Sequence, residues 1–202
     1  ADNRQLYQYL SFPGLNDPYA TLFSGIRELE ARTVLTIGLR DRAVRKLSYY
    51  DLEDRSLSLA SGAEGGDPLE GYASLLEQSV ALHLRSDVPV GSCLSGGLDS
   101  SAIVGVAAAL MKDRPFHTFT ARYGEHPADE SYWAAKVNAH YPNIRGHEAW
   151  PDGERLWEDF RRMIWHQDLP VHSTSMYAQW EVMKVAAGEG MKVLLDGQGA
   201  DE

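Results

Sequence analysis

Up to about residue 60 the apolar positions do not outline a complete domain, and beyond it they recur regularly with helix and strand spacing. In the first part, Asp2 can cap a short helix through Leu10, and the turn chemistry of Ser11-Phe12-Pro13-Gly14 and Asn16-Asp17-Pro18 stops it. Thr33 to Ile37 and Val44 to Tyr50 are β-prone runs separated by Gly38 to Arg42, which predicts a hairpin. A lone hairpin is marginal in water and needs a surface to pack against. Ser61 to Gly66 is the best linker candidate. Past it, Asp67 and Pro68 open a helix with the stripe Leu69, Tyr72, Leu75, Leu76, Ser79 and Val80. Val88 to Leu94 is a short apolar run of the kind found in a buried parallel strand. A helix then starts at Asp99 or Ser100, with Ile103, Val106, Ala107, Leu110 and Met111 at helical spacing.

The alternation continues. Phe116 to Tyr123 reads as a strand, about Asp129 to His140 as a helix, and Asn143 to Trp150 as a weak third strand. A helix from Gly153 to Gln167 carries Leu156, Phe160, Met163 and Ile164 on one face, a pattern of core packing, and Pro170 breaks it. Ser173 or Thr174 caps a last helix bearing Met176, Trp180, Met183 and Ala187, which ends at Gly188 and Gly190. Met191 to Leu195 is the final strand. Strands alternating with helices predict an α/β fold, an open parallel sheet flanked by helices, with the helix and hairpin of residues 1–60 as an appendage to residues 61–202.

Composition narrows the classes of partner. In 202 residues the net charge is −10, without a lysine-arginine cluster, which argues against nucleic acid. The single cysteine, Cys93, falls within a predicted buried strand, so it reads as a core thiol, and no disulfide framework or cysteine zinc site is available. No apolar run reaches the roughly 20 residues of a membrane span, and no basic-then-apolar leader opens the chain. A soluble, cytoplasmic protein is the expectation. The seven histidines show no metal-binding spacing, so no structural zinc is expected, and His83 reads as a partly exposed side chain. No nucleophile elbow or Ser-His-Asp order is visible.

Candidate chemistry concentrates in two stretches. After the strand ending at Leu94, Ser95-Gly96-Gly97-Leu98-Asp99-Ser100-Ser101 combines two glycines, three hydroxyls and a helix N-terminus. Such a turn aims unpaired N–H groups at one point and suits phosphate, although an ordinary glycine-rich strand-to-helix turn has the same outline. No Gly-Lys-Ser/Thr run exists, which excludes a Walker A loop. A carboxylate at Asp99 beside phosphate makes electrostatic sense with a bridging cation such as Mg²⁺. The second stretch, Leu194-Leu195-Asp196-Gly197-Gln198-Gly199-Ala200-Asp201-Glu202, leaves the last strand. Ligands of parallel sheets bind at the strands' C-terminal ends, so both stretches belong to one rim. Gly197-x-Gly199 is not a dinucleotide fingerprint, because Glu202 occupies the third glycine position. Glu130 at a helix start can offset the helix dipole or serve the site, and the two readings are equally supported.

Ser95 to Ser100 matches the PP-loop of ATP pyrophosphatases, which cleave ATP between its α- and β-phosphates. The second stretch resembles the Ser-Gly-Glu-Gly-Ser/Ala-Asp-Glu motif of the synthetase domain of glutamine-dependent asparagine synthetases. The likeness is continuous from about Tyr72 to Glu202 and weaker from Tyr7 to Leu52. It implies an ATP-dependent, amide-forming ligase. A small carboxylate substrate, aspartate or an analogue, is adenylated with release of pyrophosphate, and ammonia or an amine then displaces AMP. By the same resemblance, Ser95, Gly96, Gly97, Asp99 and Ser100 hold pyrophosphate, Leu94, Ala121, Asp196 and Gly197 contact the nucleoside, and Asp99 and Asp201 share Mg²⁺. The candidate catalytic positions are Ser95, Asp99 and Gln198.

Two departures qualify the resemblance. Gln198 stands where the family has glutamate; an amide cannot titrate or act as a general base, which leaves room for an amidotransferase using a different carboxylate. The chain starts with Ala1 where the family's glutaminase domain starts with a catalytic cysteine, and it stops at Glu202, before helices that supply further catalytic groups. The expectation is a synthetase domain truncated at both ends, without glutaminase and with an exposed apolar face that favours self-association. A non-catalytic nucleotide-binding or interaction module is the competing class.

Overall fold

A computed structural model describes residues 1–11, 19–51, 67–127, 129–171 and 173–199. The turn-rich stretch at 12–18 and the linker candidate at 61–66 lie outside the described residues, as does Asp201. The chain divides into two compact units, residues 1–66 and 67–202.

In the first unit, helix α1 spans Asn3–Ser11. The Asp2 carboxylate accepts from the N–H groups of Arg4 (3.0 Å) and Gln5 (3.2 Å), the expected N-cap. Strands β1 (Thr33–Ile37) and β2 (Val44–Ser48) pair antiparallel, Thr33 opposite Ser48 and Ile37 opposite Val44.

In the second unit, α2 (Pro68–His83) starts at Asp67, whose carboxylate accepts from Leu69 N–H, with proline in the first turn. Then follow β3 (Val90–Cys93), α3 (Leu98–Leu110), β4 (Phe116–Ala121), α4 (Ser131–His140), β5 (Ile144–Ala149), α5 (Gly153–Gln167), α6 (Thr174–Gly188) and β6 (Val193–Leu195). The four strands form a parallel sheet in the order β5-β4-β3-β6. Its interior strand β3 is Val-Gly-Ser-Cys, and the fully buried Ser92 hydroxyl is satisfied by the carbonyls of Leu195 (3.1 Å) and Cys93 (3.0 Å). Gly91 is required for packing: a Cβ there would lie 2.8 Å from the His117 carbonyl oxygen.

Each face of the sheet has its own core. Phe116, Ile144, Val104, Ala107, Ala108 and Ala134 bury one face under α3 and α4, with Val80 and Leu76 of α2 joining from outside. Phe119, Ala149, Val182 and Ala186 bury the other under α6.

The register of two helices differs from the sequence pattern. On α2 only Val80 is buried and Leu76 packs inward, while Leu69, Tyr72 and Leu75 are exposed. On α6 the buried residues are Tyr177, Ala178, Glu181, Val182 and Ala186, on nearly the opposite face from the stripe Met176, Trp180, Met183 and Ala187. The reason is Glu181: it is buried yet paired with Lys184 Nζ at 2.9 Å, so a charged residue sits where periodicity expects an apolar one. In α3, which begins at Leu98 after Gly97, Val104 and Ala108 are buried while Leu110 is partly exposed. That helix is apolar on most of its circumference, so spacing could not select its buried face. On α5 the expected face is correct, with Met163 fully buried.

Candidate nucleotide-binding site

The loop after β3 is shaped by contacts that only glycine permits. Gly96 has φ of +96°, and a Cβ on it would lie 2.8 Å from Ala134 N and 2.9 Å from the Glu130 carbonyl oxygen. The turn is therefore pressed against the start of α4. Gly97 caps α3 with extended dihedrals and no side-chain hydrogen bond to the helix. The first N–H groups of α3 are thus left without a side-chain cap, and the positive end of its dipole faces the turn. Ser95 and Ser100 hydroxyls meet at 2.9 Å, Ser95 Oγ accepts from Gly97 N–H at 3.1 Å, and Ser100 donates to the Gly97 carbonyl at 3.3 Å. Asp99 lies in the helix's first turn and is half-buried.

The second stretch closes on the first. A Cβ on Gly197 would approach Ser100 N to 2.9 Å and Ser100 Cα to 3.2 Å, so the backbone of one motif lies directly on that of the other. β6 beside β3 is what brings them together, with Leu195 in register with Ser92. Asp196 accepts from Gln198 N–H at 3.2 Å and from Gln179 Nε2 at 3.4 Å. Burial first, and then the negative charge of Asp196, pushes the Cys93 thiol up to about 12. Cys93 is therefore a neutral thiol, half-buried at the edge of the core and lining a cavity rather than enclosed as the sequence suggests.

These ends surround a cavity of about 980 Å³, large enough for a nucleotide with a small substrate. Leu94, Ser95, Ala121, Asp196 and Gln198 line it. Leu94 and Ala121 are fixed as neighbours by the sheet: Leu94 N–H donates to the Phe119 carbonyl at 2.9 Å, and Thr120 Oγ1 donates to the Leu94 carbonyl at 2.7 Å. Ala121 is the last residue of β4, at the same rim.

The asparagine synthase family profile matches residues 71–202. This chain belongs to that family. Asparagine synthetase (glutamine-hydrolyzing) 2 of Bacillus subtilis strain 168 is 32% identical over 191 residues, which cover 90% of this chain and 25% of the relative. Asparagine synthetase (glutamine-hydrolyzing) 1 of the same strain is 30% identical over 205 residues, 100% of this chain and 30% of the relative. Amidase chyE of Penicillium rubens is 25% identical over 194 residues, 90% of this chain and 29% of the relative. The chain thus spans less than a third of the length of these three relatives.

The asparagine synthase fold also places groups at the cavity that spacing did not single out. Arg122, Tyr123, Trp150, Tyr177 and Gln179 line it, from the ends of β4 and β5 and the first turns of α6. Arg122 is held rather than free: it pairs with Asp129 at 3.3 Å and with Glu148, and its guanidinium lies 4.8 Å from the Trp150 ring centroid. Asp129 accepts from Tyr123 N–H at 2.7 Å and Ser131 N–H at 2.9 Å. The Ser131 hydroxyl above all, then those backbone amides and Arg122, hold this carboxyl well below the usual carboxylate range. Asp129 is therefore the residue that caps α4, whereas Glu130 makes no capping hydrogen bond and lines the cavity. Position next to a helix start is the only signal the sequence carried for either residue, and it could not tell them apart.

No helix among the described residues is long and apolar enough to cross a membrane.

Proposed function

We propose that residues 67–202 bind ATP and activate a carboxylate within an amide-forming ligase. The observation that carries this reading is the contact of Gly197 with the first turn of α3, beside a cavity that Ser95 of one motif and Asp196 and Gln198 of the other line together, while Gly96, Gly97, Asp99, Ser100 and Gly197 stand behind that wall. On this reading the N–H groups of the α3 start and the hydroxyls of Ser95 and Ser100 donate to the β- and γ-phosphates, with Gly96 and Gly97 allowing close approach. Leu94, Ala121, Asp196 and Gly197 receive the nucleoside. A substrate carboxylate oxygen attacks the α-phosphorus, and the bond to the bridging oxygen of the β-phosphate breaks. Pyrophosphate leaves with the electron pair. An amine or ammonia then adds to the acyl-adenylate carbonyl and displaces AMP, giving an amide. The donors around the loop stabilise charge as it develops on the departing pyrophosphate.

Magnesium fits this arrangement at Asp99, an oxygen donor in the first turn of α3, and Asp201 is the second ligand assigned by resemblance. When bound, it neutralises phosphate charge.

A second reading is favoured by one residue. Gln198 lines the cavity and cannot titrate, so the acceptor carboxylate is free to differ from aspartate. Calorimetric titration with ATP and Mg²⁺, beside Asp99→Ala, tests the nucleotide site. Asp99→Ala is expected to weaken binding about tenfold or more, about 1.4 kcal/mol. Equal affinity in both proteins would overturn the assignment of the loop. Pyrophosphate release is then measured across carboxylates. Dependence on aspartate supports the first substrate and dependence on another acid the second, whereas ATP binding without release for any acid leaves a nucleotide-binding module.

A further inference from the structure

Away from the cavity, the strand pairing brings together two histidines that are thirty residues apart. In the parallel register of β4 and β5, His117 lies opposite Arg145 and Phe119 opposite His147, so both histidines project from the face covered by α6. His117 Nδ1 and His147 Nε2 are 2.9 Å apart, with nearly parallel rings. Glu189, the residue that ends α6, approaches His147 Nδ1 to 3.5 Å through Oε1. One donor atom from each of the three lies within 4.8 Å of the others. None of the three lines the nucleotide cavity. Phe119 stands between: its ring stacks on His147 at 4.9 Å and it also lines the cavity. His117 precedes Ala121, at the nucleotide rim, by four residues, about 13 Å of strand.

We propose that His117, His147 and Glu189 form a binding site for a divalent transition-metal ion, zinc in the first instance, separate from the nucleotide site. Two imidazoles and one carboxylate make a donor set suited to zinc, nickel or copper rather than to magnesium or calcium, which take oxygen. Metal–nitrogen bonds of about 2.0–2.1 Å in a tetrahedron separate the donors by about 3.3 Å, so the histidine pair needs only a small opening. Glu189, whose side chain is 45% exposed, turns from His147 Nδ1 towards the histidine pair to close the remaining gap. Three protein ligands leave the fourth position to water.

The electrostatics of α6 support a cation there. Its last turn has no basic residue, and Glu189 adds a carboxylate to the negative end of the helix dipole, a placement that a bound cation relieves. Arg145, the cation that acts on His117, has its guanidinium engaged by the carbonyls of Pro142 (3.1 Å) and Ile144 (3.0 Å). Burial, and next the neighbouring His147, hold His117 below its ordinary value, which favours the neutral ring that binds metal. A metal at this point ties the end of α6 to both strands, and spacing in the sequence could not reveal it because the ligands come from three elements.

The test is calorimetric titration of the chain with Zn²⁺ in buffer containing millimolar Mg²⁺, which occupies oxygen-donor sites. One zinc per chain is expected, with affinity reduced tenfold or more in His117→Ala, His147→Ala and Glu189→Gln and unchanged in the control His83→Ala. Tetrahedral visible absorption of Co²⁺, lost in the same variants, identifies the donor set. Glu189→Gln alters only an exposed side chain, so it reports on the site even where a histidine variant fails to fold. Absence of saturable zinc binding, or binding unaffected by Glu189→Gln and the folded histidine variants, overturns the proposal.

Discussion

Gly96 carries the sharpest demand that any single residue meets in this site. Its φ of +96° and the 2.8 Å approach of a would-be Cβ to Ala134 N mean that Gly96→Ala meets backbone strain and backbone overlap together. Strain of this kind costs about 1–3 kcal/mol, and relief requires the turn to lift from α4. A lower melting temperature together with weaker ATP binding is expected, and an unchanged binding constant would show that the turn's position against α4 is dispensable. Cys93 gives a second residue-scale outcome. Its folded value is raised above its unfolded one, so the stability it contributes is complete below about pH 8.5 and is lost as pH rises towards 12. Alkylation by iodoacetamide in the folded protein should therefore be slow at pH 8, and Asp196→Asn should speed it by lowering the thiol's value; a fast reaction in the parent protein at pH 8 would contradict the neutral thiol.

Between elements, the contact of α5 with α6 is pinned by charge. Lys184 on α6 reaches Asp159 on α5 at 2.7 Å as well as Glu181 at 2.9 Å. Lys184→Met keeps the aliphatic stem but leaves the buried Glu181 without its cation. The expected loss lies between the about 0–1 kcal/mol of an exposed pair and the about 3–5 kcal/mol of a broken buried one, because Lys184 itself is part-exposed. Urea denaturation of the variant measures it, and the Lys184→Met, Glu181→Leu double variant should recover part of the loss. At this scale the sequence was most legible where a local signal ended an element. Asp2, Asp67 and Ser173 cap their helices as their chemistry predicts, and the helix Gly153–Gln167 has the span its spacing and Pro170 predict. It was least legible for buried faces. The α6 stripe was misplaced because the paired Glu181 breaks periodicity, and Leu69, Tyr72 and Leu75 of α2 look like core in the sequence but are exposed.

For the molecule as a whole, the division into residues 1–66 and 67–202 has a spectroscopic handle. All five tryptophans lie at position 133 or beyond, so their fluorescence reports only the second unit, while far-UV circular dichroism reports both. Two units that unfold separately give transitions that do not coincide in urea, and superimposable curves would show that the chain unfolds as one cooperative body.

The order of strands and helices, the glycine turn after β3 and the family to which the chain belongs were all readable from residues 1–202 alone, because they rest on local chemistry: caps, apolar runs and contiguous motifs. The tertiary structure decided what depends on neighbours distant in the chain. Placing β6 beside β3 laid Gly197 on Ser100 and brought Ser95, Asp196 and Gln198 to one cavity. Pairing β5 with β4 carried Arg122 to Glu148 and His117 to His147. Such contacts join residues tens of positions apart, and no spacing rule records them, because the geometry that creates them belongs to the sheet and not to any one segment.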